Sequence, residues 1–358
     1  MIVSPVHFPI YNFTSHRAGG DDVFDRSFSF GRGSWALAFG LMAIAKKRGA
    51  KSVRVWFPDY FCKEPLDVLS LFPVSIAFYP VQKNLQPDWQ ECEVRCQKES
   101  PPDAFVLVHY FGFANNCEAA RAFCARHEIE LVEDCAHVMR PYKAMGSTGV
   151  CALFSPWKFY PVPLLGLLLV QNDLHSFVEQ VSPRWEIRSL FTWWLKREVQ
   201  RMRCLFGIGW YRRVSTRSSK NAQSMGAANL LALRILRHCQ GLPADAIAKR
   251  RVQNYRSLEQ FFFTRYPQML LFGQLANGII PYAFPFVSKT PAKTLVSALV
   301  DRGIPATLWP ALPDPVVRDR ERYPWARFYA DHLVLLPVHQ NVSARNIEYM
   351  KSVLALIW

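Results

Sequence analysis

Three short passages carry residue types that could do chemistry together. In LVEDCAH, residues 131–137, an apolar run ends in Glu133 and Asp134, with His137 close behind. A carboxylate at the end of a buried strand could hold a ring-nitrogen cation, and Asp134 is the candidate. An isolated aspartate after a strand more often caps a helix or closes a turn, so the case rests on its company. In GSTGVCALFSPWKFYPVP, residues 146–163, a glycine-bounded turn leads into an apolar run ending at Ser155, and Lys158 follows among Trp157, Phe159 and prolines. Burial among aromatic groups favours the neutral amine, the form that attacks a carbonyl; the plain alternative is a solvated surface lysine. Ser155 could offer its hydroxyl to a phosphate or simply end the strand. In FGRGSWALAFGLMAIAKK, residues 30–47, Gly31 and Gly33 let backbone amides approach an anion, and Ser34 opens a helix whose positive end faces it. This passage has neither the GKS/GKT of a P-loop nor a GxGxxG after a strand.

The elements that must position these residues alternate. From about residue 31 to 172, apolar β-branched runs are interleaved with helical patterns, as in a mostly parallel sheet covered by helices. The pattern predicts strands over 52–57, 74–79, 104–110, 130–133, 150–155 and 167–171, and helices over 34–48, 61–71, 87–98 and 117–127. Ligands of open α/β sheets collect at the carboxyl ends of strands, where Asp134 and Ser155 fall. Further helical patterns cover 227–239 and 244–263, the latter opened by Pro243. Beyond Met269, short strands and helices separated by prolines predict a smaller α+β unit. The expected division is 1–240 and 241–358, with no repeat at solenoid periods.

Composition narrows the function classes. Half the residues are apolar and 20% are charged, an ordinary globular balance. No apolar run reaches the roughly 18–20 residues of a membrane span, and the N-terminal segment does not read as a signal peptide. The 9 cysteines are scattered and odd in number, which suits a reducing cytoplasm. Cys92 and Cys96 lack a second paired cluster, so no zinc site is expected. The formal charge of +15 raises the question of anionic partners, yet no nucleic-acid motif is present and no nucleic-acid partner is expected.

The order of the three passages is more specific than any one of them. An anion-binding helix start, a strand ending in Asp with His nearby, and a strand ending in Ser followed by Lys together resemble the fold-type I enzymes of pyridoxal phosphate. Within that class the chain is similar to the DegT/DnrJ/StrS sugar aminotransferases over most of its length. The passages that carry the resemblance are GRGSWAL, WFPDYFCKEPLDVL, VHYFG, LVEDCAH, GSTGVCALFS, SPWKFYPVP, GLLLVQND, RGIPATLWPALP and LLPVHQNVS.

The resemblance implies an α/β protein of three layers, with a mostly parallel central sheet and a smaller C-terminal α+β domain. It implies pyridoxal 5'-phosphate held covalently by Lys158, with Asp134 on the pyridine nitrogen and His137 beside the ring. Ser155, Gly33 and Ser34 would hold the phosphate, Tyr60 or Phe61 would stack on the ring, and Asn221 would reach the phosphate of a partner subunit. It further implies a homodimer that moves an amino group from a donor such as glutamate to a nucleotide-linked keto sugar. Two alternatives stand beside this: a dehydratase of the same fold, and a binding or regulatory protein that kept the fold without turnover. The chain departs from the commoner pattern in the short Ser155-to-Lys158 gap and in the PVPLLG turn that follows.

The stretch 183–220 is not explained by the resemblance. Trp185, Trp193, Trp194 and Trp210 are set among many arginines and few acids. The readings, in order, are a dimer interface rich in aromatics and arginine, contact with a membrane surface, and a nucleotide site.

Overall fold

The computed structural model describes residues 26–185, 191–196, 198–199, 226–239, 242–319 and 321–358. Its main sheet has seven strands: β1 (Phe28–Phe30), β2 (Val53–Pro58), β3 (Val74–Tyr79), β4 (Ala104–Val108), β5 (Glu130–Cys135), β6 (Cys151–Phe154) and β7 (Gly166–Val170). They lie in the order β1-β7-β6-β5-β4-β2-β3. Pairs from β3 through β6 are parallel, whereas β7 is antiparallel to both β6 and β1. The expected α/β class with a mostly parallel sheet is therefore what the chain forms.

β4 is buried at every residue and β5 at all but its first, as strands covered on both faces should be. The covering helices include α1 (Gly33–Lys47), α2 (Lys63–Leu69), α3 (Trp89–Lys98) and α4 (Cys117–Arg126). Asp88 and Asn116 cap α3 and α4 by accepting from the Glu91 and Ala119 amides. The ends differ from the sequence expectation by a few residues: α2 is shorter than 61–71, and β4 stops before His109.

β1 leaves no mark in the sequence pattern, because its three residues are too few to show a period. Its place matters. β1 and β6 are both antiparallel to β7, so they run in the same direction. The chain leaving β1 therefore enters α1 at the sheet edge where β5 and β6 also end. Gly166 of β7 permits this closeness, since a Cβ there would lie 2.2 Å from the carbonyl carbon of Arg32.

The C-terminal part adds α5 (Leu230–Cys239), α6 (Leu242–Arg265), α7 (Ala292–Asp301), α8 (Asp314–Arg318), α9 (Pro324–His332) and α10 (Ala344–Ile357). Between them, β8 (Ala283–Val287) and β9 (Leu333–Pro337) pair antiparallel in a second sheet. Backbone bonds tie this part to the main sheet: Tyr282 donates to Phe111 at 2.8 Å and Lys63 to Ala311 at 2.9 Å. No helix among the described residues is long and apolar enough to cross a membrane.

Gly166→Ala sets a side chain against backbone that cannot yield. Overpacking of this kind costs about 1–3 kcal/mol, so urea unfolding should show a lower midpoint than for the parent, and an equal one would refute the close approach.

Candidate active site

The carboxyl ends of β4, β5 and β6 and the start of α1 converge on a cavity of about 790 Å³. Its walls include Arg32, Gly33, Ser34, Phe61, Cys62, Asp134, His137, Ser155, Lys158, Tyr282 and Trp309. A volume in the range of roughly 300–1,000 Å³ suits a small-molecule site.

Two adjacent carboxylates at the end of β5 have opposite situations. Glu133 is fully buried and well partnered. It accepts from His109 Nε2 at 2.9 Å, from the Gly146 amide at 2.8 Å, and from the Thr148 and Gly149 amides at 2.7 Å each. Burial opposes its ionisation, but His109 and these amides outweigh burial and hold the carboxyl below its usual range. Glu133 thus closes the 146–149 turn and is spent on structure. His109 is spent with it, since its Nδ1 accepts from the Asn115 amide at 3.1 Å.

Asp134 has far less support. One oxygen accepts from the Ala136 amide at 2.8 Å, and the other makes no hydrogen bond among the described residues. Burial pushes the carboxyl up, only partly offset by that amide and by the Lys158 charge. Such a carboxyl has an oxygen left to accept from a cationic N–H.

Lys158 ends a short 3-10 turn, Pro156–Lys158, directly after β6. Its amine forms no hydrogen bond or ion pair among the described residues. It lies 5.5 Å from the Tyr282 ring centroid and 5.9 Å from that of Trp157. His137 stacks on Tyr282 with centroids 4.4 Å apart, and its Nδ1 accepts from the Phe111 amide at 3.3 Å. Burial, then the Lys158 charge, drives its pKa well below normal, so the ring is neutral.

A group of free donors lines the same cavity. The Trp35 and Ala36 amides turn back to the Arg32 carbonyl, which leaves the Gly33 and Ser34 amides without a backbone acceptor at the positive end of α1. The hydroxyls of Ser34 and Ser155 likewise have no partner among the described residues. A Cβ on Gly33 would lie 2.6 Å from Ser155 Oγ, so any larger residue would fill the cradle.

Of the residues expected from sequence, Gly33, Ser34, Phe61, Asp134, His137, Ser155 and Lys158 line one cavity. Tyr60 does not. Its ring is fully buried against Trp309, 4.8 Å away, and Tyr110. Asn221 and most of 183–220 lie outside the described residues. Cys62, Tyr282 and Trp309 were missed: Cys62 sits near Lys158 and Asp134, with its thiol pushed up to about 12 by burial, whereas the other two come from the C-terminal part and have no local signal. A free carboxyl, a free amine and an amide-hydroxyl cradle on one cavity fit a pyridoxal phosphate group.

The comparisons agree with the resemblance. Residues 29–166 match the profile of the DegT/DnrJ/EryC1/StrS aminotransferase family. A pleiotropic regulatory protein of Geobacillus stearothermophilus is 25% identical over 151 residues, 40% of this chain; the match spans 39% of that relative's length. The fold is shared with a DegT/DnrJ/EryC1/StrS aminotransferase of Brucella abortus, at TM-score 0.65 and 16% identity over 92% of this chain and 85% of that one. It is also shared with NtdA of Bacillus subtilis bound to PMP, at TM-score 0.65 and 13% identity over 92% and 73% of the two chains. PseC of Helicobacter pylori, an aminotransferase of pseudoaminic acid biosynthesis, aligns at TM-score 0.61 and 14% identity over 92% and 86%.

The two carboxylates make opposite predictions for the cofactor-free protein. A raised carboxyl in the fold costs stability as pH climbs above the ordinary carboxylate range; a lowered one contributes stability above that range and loses it in acid. Asp134→Asn should therefore equal or exceed the parent in urea stability at pH 7, with the gain fading toward pH 4. Glu133→Gln leaves buried amides short of a charged acceptor and should lose about 2–4 kcal/mol at pH 7. Equal behaviour of the two variants would refute the division of roles.

Proposed function

We propose that the protein is a pyridoxal-phosphate-dependent aminotransferase. In this reading it moves an amino group from glutamate to a nucleotide-linked keto sugar, in the synthesis of surface polysaccharide or a modified sugar. The observation that carries it is the unpartnered Lys158 amine facing the same cavity as the half-satisfied Asp134 carboxyl, with the Gly33, Ser34 and Ser155 cradle alongside.

When bound, the cofactor supplies an electron-accepting ring joined to the carbon that loses or gains the amine. Each residue then has a task. Asp134, as a carboxylate, would keep a proton on the ring nitrogen, and that cation would in turn lower the cost of burying Asp134. Neutral His137 would lie beside the ring without adding charge. Ser155, with the amides and hydroxyl at the start of α1, would fix the phosphate. The Lys158 amine would hold the cofactor and, once displaced by substrate, move the proton at the reacting carbon. Tyr282 and Trp309 would keep water from that carbon.

A sugar acceptor is supported by the fold shared with a sugar aminotransferase of Micromonospora echinospora and by the biosynthetic role given for the Helicobacter pylori neighbour. We place the enzyme in the cytoplasm as a homodimer, with 183–220 at the subunit interface. The exposure of Trp185, Phe191 and Trp194 on the single chain supports that placement; contact with a membrane surface is its rival. The regulatory name of the Geobacillus stearothermophilus relative favours a second reading, a binding protein of the same fold without turnover.

Visible absorption of the purified protein with pyridoxal phosphate tests both. A protein-bound band that Lys158→Ala abolishes, and that glutamate converts to the amine form of the cofactor, is expected of the aminotransferase. A band indifferent to every amino donor would favour the binding protein, and no band at all would refute the cofactor assignment.

A further inference from the structure

Arg251, on α6, is 1% exposed, yet no carboxylate lies within ion-pair distance of it among the described residues. A buried guanidinium is normally paired with an anion. This one is surrounded by neutral acceptors. Nη2 donates to the Lys158 carbonyl at 3.0 Å, and Nη1 to the carbonyls of Tyr282 at 3.1 Å and Pro281 at 3.3 Å. Nε donates to Gln340 Oε1 at 2.9 Å. Burial lowers the guanidinium to about 10, still charged at neutral pH.

Gln340 completes the arrangement. While its oxygen accepts from Arg251, its Nε2 donates to the Phe159 carbonyl at 2.8 Å. Two consecutive carbonyls of the lysine turn, those of Lys158 and Phe159, are thus held by side chains from the C-terminal part. The same guanidinium holds the carbonyl of Tyr282, whose ring carries His137 on one side and lies near the Lys158 amine. The Arg251 cation also lies 4.7 Å from the Phe159 ring centroid. Only a planar fork with several fixed donors reaches these acceptors together; a lysine cannot.

We propose that Arg251 and Gln340 are positioning residues that fix the Lys158 amine relative to Tyr282 and His137, and so couple the C-terminal part to the chemistry. The functional half of this proposal rests on the aminotransferase reading; the mechanical half does not.

The test uses the full chain with Gln340→Ala and Arg251→Lys, the first of which keeps the buried cation and leaves the fold least disturbed. Hydrogen exchange of the backbone over residues 156–162, in cofactor-free protein, should rise at least tenfold in Gln340→Ala while the peptides of β4 and β5 keep the parent's protection. With pyridoxal phosphate bound, the glutamate half-reaction should slow about tenfold with its half-saturation concentration nearly unchanged. The pH midpoint of the bound cofactor's absorption band should also move, a shift that a loss of folded protein cannot produce. Arg251→Lys should show both effects more strongly. Unchanged exchange at 156–162 overturns the clamp, whatever the cofactor does. Raised exchange with an unaltered half-reaction and band midpoint overturns its coupling to the chemistry. A parent that binds no pyridoxal phosphate sinks the aminotransferase reading and with it that coupling, and the exchange result still decides the clamp.

Discussion

The structure is organised around a buried carboxyl that its own chain does not satisfy. Taking a carboxylate out of water is costly unless donors or a cation replace the lost solvation. Glu133 receives that replacement in full from His109 and three amides, whereas its neighbour Asp134 receives one amide. The contrast is local and sharp, because successive residues of a strand face opposite sides. Glu133 faces the turn that leads into β6, and Asp134 faces the cavity. The unfilled demand at Asp134 suits a ligand with a cationic N–H, and the free amine and the amide-hydroxyl cradle lining the same cavity narrow that ligand further.

Bringing these groups together is the work of chain direction. Because β7 reverses the sheet locally, three residues of β1 can lie at its far side and still deliver α1 to the edge where β5 and β6 end. The small residues at 33 and 166 then allow the α1 start to approach the Ser155 hydroxyl and the β7 backbone closely. The Lys158 amine is placed last, by a turn whose carbonyls are held from the C-terminal part.

Much of this was legible in the sequence where the signal is local. Asp134 and Ser155 close apolar runs of strand length, Lys158 sits among aromatics and prolines, and Gly33-Ser34 precede a long helical pattern. The parallel α/β class followed from the alternation of such runs. What stayed hidden depends on distant partners. β1 is too short to show a period, and Tyr282, Arg251 and Gln340 reach the site only after the C-terminal part folds back across it. Tyr60 illustrates the converse error. An aromatic near the right place reads as a stacking residue, yet its neighbour Phe61 takes the cavity wall while Tyr60 packs into the core against Trp309.

If Asp134 is held for a cationic ring nitrogen, the melting temperature measured with and without pyridoxal phosphate, in the parent and in Asp134→Asn with Lys158 intact in both, will show it. A ligand that binds only the folded state raises stability by mass action. The parent should show a clear rise and the variant a much smaller one, across pH values where Asp134 is ionised. An equal rise in both proteins would contradict it, since the cofactor would then gain nothing from the carboxylate.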